Sequence, residues 1–193
     1  MAYKKLDDFL KPREILVTSV QPQSRYPQER KKPRYEIVGF YRETEFQGTP
    51  IGRIPKEWRI AKLGEVVEVY DNKRIPLSEQ ERATRRGPYP YCGANGVIDY
   101  IDDYIFDGEY LLLAEDGGFF GRFEQSAYIM NGKFWANNHV HVLKAREGKA
   151  LNKFLMYMLN FLDLRPYVVG STRPKLTQSS MREIKISLPP LEE

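Results

Sequence analysis

The sequence carries a single cysteine, Cys92, and only two histidines, His139 and His141, in 193 residues. One thiol cannot close an internal disulfide, and ligands this few, at no recognisable spacing, argue against a structural zinc site. Long apolar runs are missing too. No stretch approaches the roughly 18 apolar residues a membrane span needs, and residues 1–10 lack the apolar region of a secretory signal. Nor is there a glycine-rich phosphate loop, or an Asn-Pro-Pro-Tyr or Asp-Pro-Pro-Tyr element of the kind adenine methyltransferases use. These gaps point away from secretion, membrane insertion, nucleotide hydrolysis and methyl transfer. The expectation is a cytoplasmic chain that is not an enzyme and needs no cofactor.

What is present suits one folded domain with an appendage. Apolar residues make up 41% and aromatic residues 13% of the chain, enough large apolar surface to offset the ordering entropy of a domain this size. The 30 basic and 26 acidic residues leave a formal charge of only +4, so placement matters more than the sum. Placement is uneven: seven acids and no base fall in residues 99–116, whereas 73–86 and 165–185 are rich in bases. The clustered acids invite a metal reading, but they fall mostly in predicted turns, and a face turned away from a polyanion is the preferred account.

Along the chain, residues 1–50 hold Pro12, Pro22, Pro27, Pro33 and Pro50 and one short apolar burst, Ile15-Leu16-Val17. Such a segment has little to bury; it reads as an extension draped on the domain or a partner, or equally as a disordered linker. The domain is expected over 51–188. Alternation predicts strands at 58–63 and 183–188, and short β-prone runs bounded by turn residues predict others at 66–70, 96–101, 110–114, 126–130 and 139–143. Ser78 and Glu81 form a capping box that starts a helix continuing through Arg82–Arg86 to a stop at Gly87-Pro88. Leu151, Phe154, Leu155, Met158, Leu159 and Leu162 recur on one face of a second helix, over 151–163. A short helical turn follows Thr177, with Leu176 and Met181 as its staple. The whole reads as an α+β fold with a twisted, mixed or antiparallel sheet and few helices.

Six blocks then stand in one order: Gly52-Arg53-Ile54-Pro55-Lys56-Glu57-Trp58 with Lys62-Leu63-Gly64-Glu65-Val66; Tyr91-Cys92-Gly93-Ala94-Asn95-Gly96; Tyr110-Leu111-Leu112-Leu113-Ala114-Glu115-Asp116-Gly117-Gly118; Gly132-Lys133-Phe134-Trp135-Ala136-Asn137-Asn138-His139; Gly170-Ser171-Thr172-Arg173-Pro174-Lys175-Leu176-Thr177-Gln178; and Leu188-Pro189-Pro190-Leu191-Glu192-Glu193. Collinear over 52–193, they resemble one repeat of the specificity subunit of Type I restriction-modification systems. The resemblance implies a target-recognition domain that reads half of a bipartite site in double-stranded DNA. It also implies a methyltransferase (M) subunit, a restriction (R) subunit and a second recognition domain as partners. In that family each recognition domain is followed by a long helix that pairs with its counterpart. Here 189–193 would be only the start of that spacer helix, so the resemblance implies a cut fragment or an incomplete half-subunit.

Reading a duplex needs cations at phosphates and donors or acceptors that reach base edges. Lys73, Arg74, Arg82, Arg85 and Arg86 lie in or beside a predicted loop and short helix, where they would follow a groove; a solvated helix face explains each equally well. Ser171, Thr172, Arg173 and Lys175 combine hydroxyls and cations in one loop suited to phosphate, which Gly170 and Pro174 would otherwise simply shape. Asn95 would offer its amide to a base such as adenine, although a plain turn is the stronger reading there. His139, His141 and Cys92 would suggest thiol or metal chemistry, but nothing completes the set, and a partly buried histidine pair is preferred. Glu183 and Lys185, the faint nuclease match with Asp163, fall on the solvent face of a strand. The rival readings are the recognition part of a fused restriction-methyltransferase enzyme, a nuclease, and a subunit-docking module that touches no bases.

Overall fold

Phe46–Thr49 (β1) and Gly52–Pro55 (β2) pair as an antiparallel hairpin, Phe46 opposite Pro55, which spans the boundary expected at residue 51. The computed structural model describes residues 45–170, 172 and 174–191, all within one unit, Arg42–Glu193. The first 44 residues of the proline-rich extension, with Ser171, Arg173, Glu192 and Glu193, lie outside the described residues.

Arg59–Lys62 (β3) pairs antiparallel with the last strand, Lys185–Leu188 (β12), which brings the two ends of the domain together. The strand expected over 66–70 is shorter, because Leu63–Val66 forms a helical turn (α1) and only Val67–Val69 (β4) is extended. The Glu65 carboxylate accepts the Lys62 backbone N–H at 3.1 Å and caps that turn, while Leu63 and Val66 fill the core. The helix Glu79–Thr84 (α2) starts on the expected box: Ser78 Oγ accepts the Glu81 N–H at 3.2 Å, and the Glu81 carboxylate accepts the Ser78 N–H at 2.7 Å.

That helix stops at Thr84 rather than running to Arg86, and Arg86–Gly93 is a strand (β5) that sequence reasoning missed. The reason lies in Gly87. A Cβ there would sit 2.3 Å from Asp102 Cα, so the glycine permits close backbone approach and does not mark a helix end. A register shift between Arg86 and Tyr89 lets Pro88 sit in the strand without a lost ladder bond. Gly96–Ile101 (β6) pairs antiparallel with β5 across a turn at Ala94-Asn95, which Gly96 completes at φ +120. Phe106–Asp107 (β7) and Lys133–Ala136 (β10), neither expected, complete a sheet ordered β6-β5-β10-β7, in which β5 and β10 run parallel.

A second four-stranded sheet, ordered β4-β11-β8-β9, is wholly antiparallel, with Tyr110–Ala114 (β8), Ala127–Met130 (β9) and Val140–Ala145 (β11). Its central strands are apolar on both faces. Leu111, Leu113 and Leu143 enter one core cluster, and Leu112, Val140 and Val142 enter another. Burial on both sides explains why Tyr110-Leu111-Leu112-Leu113-Ala114 reads as a continuous apolar run rather than an alternating one. Asn152–Phe161 (α3) adds Leu155 and Leu159 to the larger core, each fully buried and each contributing about 1.5–3 kcal/mol. Leu151, expected on that inward face, is an extended cap residue and is 63% exposed. Gln178–Arg182 (α4) begins at Thr177, whose Oγ1 accepts the Ser180 N–H at 3.2 Å, and Leu176 and Met181 flank it in the core as the staple requires. Strands dominate and helices are few and short, the α+β architecture expected.

Candidate nucleic-acid interface

Three connections and the segment before α4 are tied into one face. Asn95, in the β5–β6 turn, donates from its amide to Gly117 O at 3.0 Å, which fixes it against the start of the β8–β9 loop. One amide N–H is used there; the other N–H and the carbonyl are the pair a bidentate contact with adenine requires. The Glu115 N–H goes to His139 O at 2.9 Å, and the His139 ring meets the Asp116 carboxylate, joining the β10–β11 connection. The Leu176 N–H goes to Glu115 O at 2.7 Å, and Lys175 bridges both Asp116 and Val169. Asn95, Asn138, Thr172 and Pro174 are exposed and His139 and Lys175 half-buried. This is a polar, loop-built surface with backbone held in place.

Beneath it lies a buried ionic hub. The Asp71 carboxylate accepts from the Val142 N–H at 2.9 Å and from His141 Nδ1 at 2.6 Å, and the other His141 nitrogen donates to Leu176 O at 2.7 Å. Both ring nitrogens are thus engaged. Gln178 Nε2 reaches Asp71 at 3.1 Å, and Arg74 binds Glu115 at 2.6 Å, Val140 O at 2.8 Å and Asp71 O at 3.0 Å. Lys175 Nζ closes the hub on Glu115 at 2.7 Å. Burial pushes the Asp71 carboxyl up, but His141, the Val142 N–H and Arg74 together hold it below its ordinary value. Glu115 is likewise raised by burial and brought below the usual range by Lys175 and Arg74. Asp71, Glu115 and His141 lie close enough to grip a metal ion, yet each already has a protein partner.

The other cations form a second group. Arg82 bonds Asp99 at 3.0 Å and stacks on Tyr91; Arg85 bonds Asp102 at 3.0 Å and lies over the Trp135 ring; Arg86 pairs with Asp99. Lys73 is exposed, its ammonium 5.2 Å from the Tyr70 ring centre. Part of the acidic stretch is paired with these cations. Asp99, Asp102 and Asp103 stand against Arg82, Arg85 and Arg86, and Glu115 against Arg74 and Lys175. Strand pairing brings the two runs together, because β6 folds back on β5 directly after α2.

Of the ten sequence-predicted residues, the structure thus joins Arg74 with Lys175 through Glu115, ties Asn95 and Lys175 to the same loop, and gathers Arg82, Arg85 and Arg86 separately. Thr172 is exposed beside them in the chain. Asp71, Glu115 and His141 were not singled out as partners, and the signal that could have found them was weak. The antiparallel register that sets Val140 opposite Ala114 carries Glu115 on to His139, but it sets His141 opposite Leu113, and its partner Asp71 comes from outside that pairing. Cys92 is fully buried and burial pushes its thiol up to about 12, so it is a neutral core side chain. Glu183 pairs with Lys62 at the surface, and Asp163 with Arg165, so neither assembles with Lys185 into a carboxylate cluster. No helix of the described residues is long and apolar enough to cross a membrane.

Residues 55–193 match a protein family, the Type I restriction modification DNA specificity domain, and the chain belongs to it. A putative type I restriction enzyme specificity subunit of Haemophilus influenzae is 39% identical over 142 residues, covering 70% of this chain and 34% of that protein. The EcoprrI specificity subunit of Escherichia coli is 28% identical over 131 residues, 67% of this chain and 31% of that one. The chain therefore spans about a third of the length of these curated relatives. In structure it resembles the Type-I restriction-modification S subunit from M. genitalium, with a TM-score of 0.57 at 14% identity, over 70% of this chain and 35% of that chain. A likeness in fold at 20% identity and a TM-score of 0.55, over 74% of this chain and 37% of the other, is to a chain from a study of complex assembly in the type I R-M system.

Proposed function

We propose that this chain is a non-catalytic target-recognition domain that reads one half of a bipartite duplex site in the cytoplasm. In this reading it addresses companion methyltransferase and restriction subunits, which do the bond-making, and works beside a second recognition domain. The observation that carries the reading is family membership over 55–193. The loop-built face supports it. Asn95 reads a base edge; Thr172 and Lys175, with their chain neighbours Ser171 and Arg173, hold phosphate; and Lys73, Arg82, Arg85 and Arg86 supply a second, partly neutralised set of phosphate contacts. Arg74 acts from behind the surface, because its guanidinium is committed to the hub.

Duplex binding by the whole chain, followed by fluorescence anisotropy across a salt series, tests this. Affinity should fall with salt, and Arg173→Ala with Lys175→Ala should lower the log–log slope by about two units, roughly 0.9 for each lost phosphate contact. No duplex binding at low salt would favour a docking module instead, and magnesium-dependent nicking of a plasmid would favour a nuclease.

A further inference from the structure

The two oxygens of Glu115 serve cations of different standing. Oε2 takes Arg74 at 2.6 Å, and Oε1 takes Lys175 at 2.7 Å. The Arg74 side chain is 13% exposed and anchored by two backbone carbonyls as well, whereas the Lys175 side chain is 44% exposed. Around Lys175 the backbone is pinned, its N–H to Val169 O at 2.8 Å and its carbonyl accepting the Val169 N–H at 2.9 Å. Only the ammonium is at liberty to change partners.

Resting on the function proposed above, we infer that Lys175 is a phosphate-binding residue parked on Glu115 until a duplex arrives, and that Arg74 is the positioning residue that keeps Glu115 paired when Lys175 leaves. A buried carboxylate stripped of its last partner is far costlier than a broken surface pair. With Arg74 in place, Glu115 never meets that state: Arg74 stays on Oε2, and His141 Nδ1 lies 3.6 Å from the same oxygen. Lys175 then exchanges one anion for another. The double partnering also explains why a buried acid stands beneath a surface that must attract a polyanion.

The test is the salt slope of duplex binding in the whole chain. Lys175→Met should lower the slope by about one unit. Arg74→Gln should do the same although Lys175 is still present, because Lys175 would then stay on Glu115. The double variant Arg74→Gln, Glu115→Gln should recover the wild-type slope. Glu115→Gln alone should bind duplex about 2- to 5-fold more tightly at unchanged slope, the change expected from releasing a part-exposed ion pair. Circular dichroism checks that Arg74→Gln is folded; if it is not, Glu115→Gln decides alone, and unchanged or weaker binding overturns the inference. An Arg74→Gln slope equal to wild type, or no recovery in the double variant, also overturns it. A wild-type chain that binds no duplex removes the underlying reading as well, so the two failures are distinct.

Discussion

Two regions of this domain are assembled from the same residue types and differ in depth. Around β6, Arg82, Arg85 and Arg86 meet Asp99, Asp102 and Asp103; around β11, Arg74, Lys175 and His141 meet Asp71 and Glu115. The contrast is sharpest between Asp102 and Asp103, whose side chains are 51% and 60% exposed, and Asp71 and His141, at 5% and 0%; the Arg82–Asp99 pair, at 18% and 12%, lies between. Exposed pairs trade water for a screened attraction and gain little; buried ones cannot lose a partner without stranding a charge. Composition is thus silent on which cluster is structural, and depth decides.

The deepest test of that contrast is to break the hub. His141→Ala or Asp71→Ala should each cost about 3–5 kcal/mol in urea unfolding, since each strands a buried partner; a loss under about 1 kcal/mol would erase the distinction. Acid should find the same cluster. Unfolded carboxyls titrate near about 4, and those of Asp71 and Glu115 lie lower in the fold, so their contribution is complete at neutral pH and is lost as pH falls through the depressed values. The urea midpoint should therefore drop below about pH 4, and the drop should shrink in Asp71→Asn.

The β6 region should respond to packing before charge. Gly87→Ala forces a Cβ to within 2.3 Å of Asp102 Cα and should destabilise by about 1–3 kcal/mol in the same assay. Smallest of all, a double-mutant cycle on Arg85 and Asp102 should return a coupling of about 0.2–1 kcal/mol that fades at about 1 M salt. A coupling that survives such salt would place this pair with the buried class.

Local chemistry made much of this legible in the sequence. The Ser78-Glu81 box, the Thr177 cap with its staple and the apolar spacing of α3 are decided within a few residues, and each appears where those residues put it. β5, β7 and β10 were not legible. β5 carries two prolines and two glycines, which argue against a strand unless a bulge and the close approach of Gly87 to Asp102 are already known. β7 is two residues long, and β10 sits in a parallel pairing with β5 that no local pattern encodes. The site divides the same way. Asn95 and Lys175 could be picked by residue type and turn context, but the Asp71–His141 contact spans 70 positions and depends on register. The partners of the acids of 99–116 were hidden for the same reason: a charge run shows its sign in the sequence, and its partners only once the strands are paired.

The account stands on the loop-built face, rather than the β6 cations, being the part that reads bases. Selection of random duplexes by the chain and by its Asn95→Ala and Arg86→Ala variants tests this directly. The account predicts that Asn95→Ala relaxes one position of the recovered sequence, while Arg86→Ala weakens binding to all sequences alike and leaves the preference intact. The reverse outcome, preference lost with Arg86 and kept without Asn95, would contradict it.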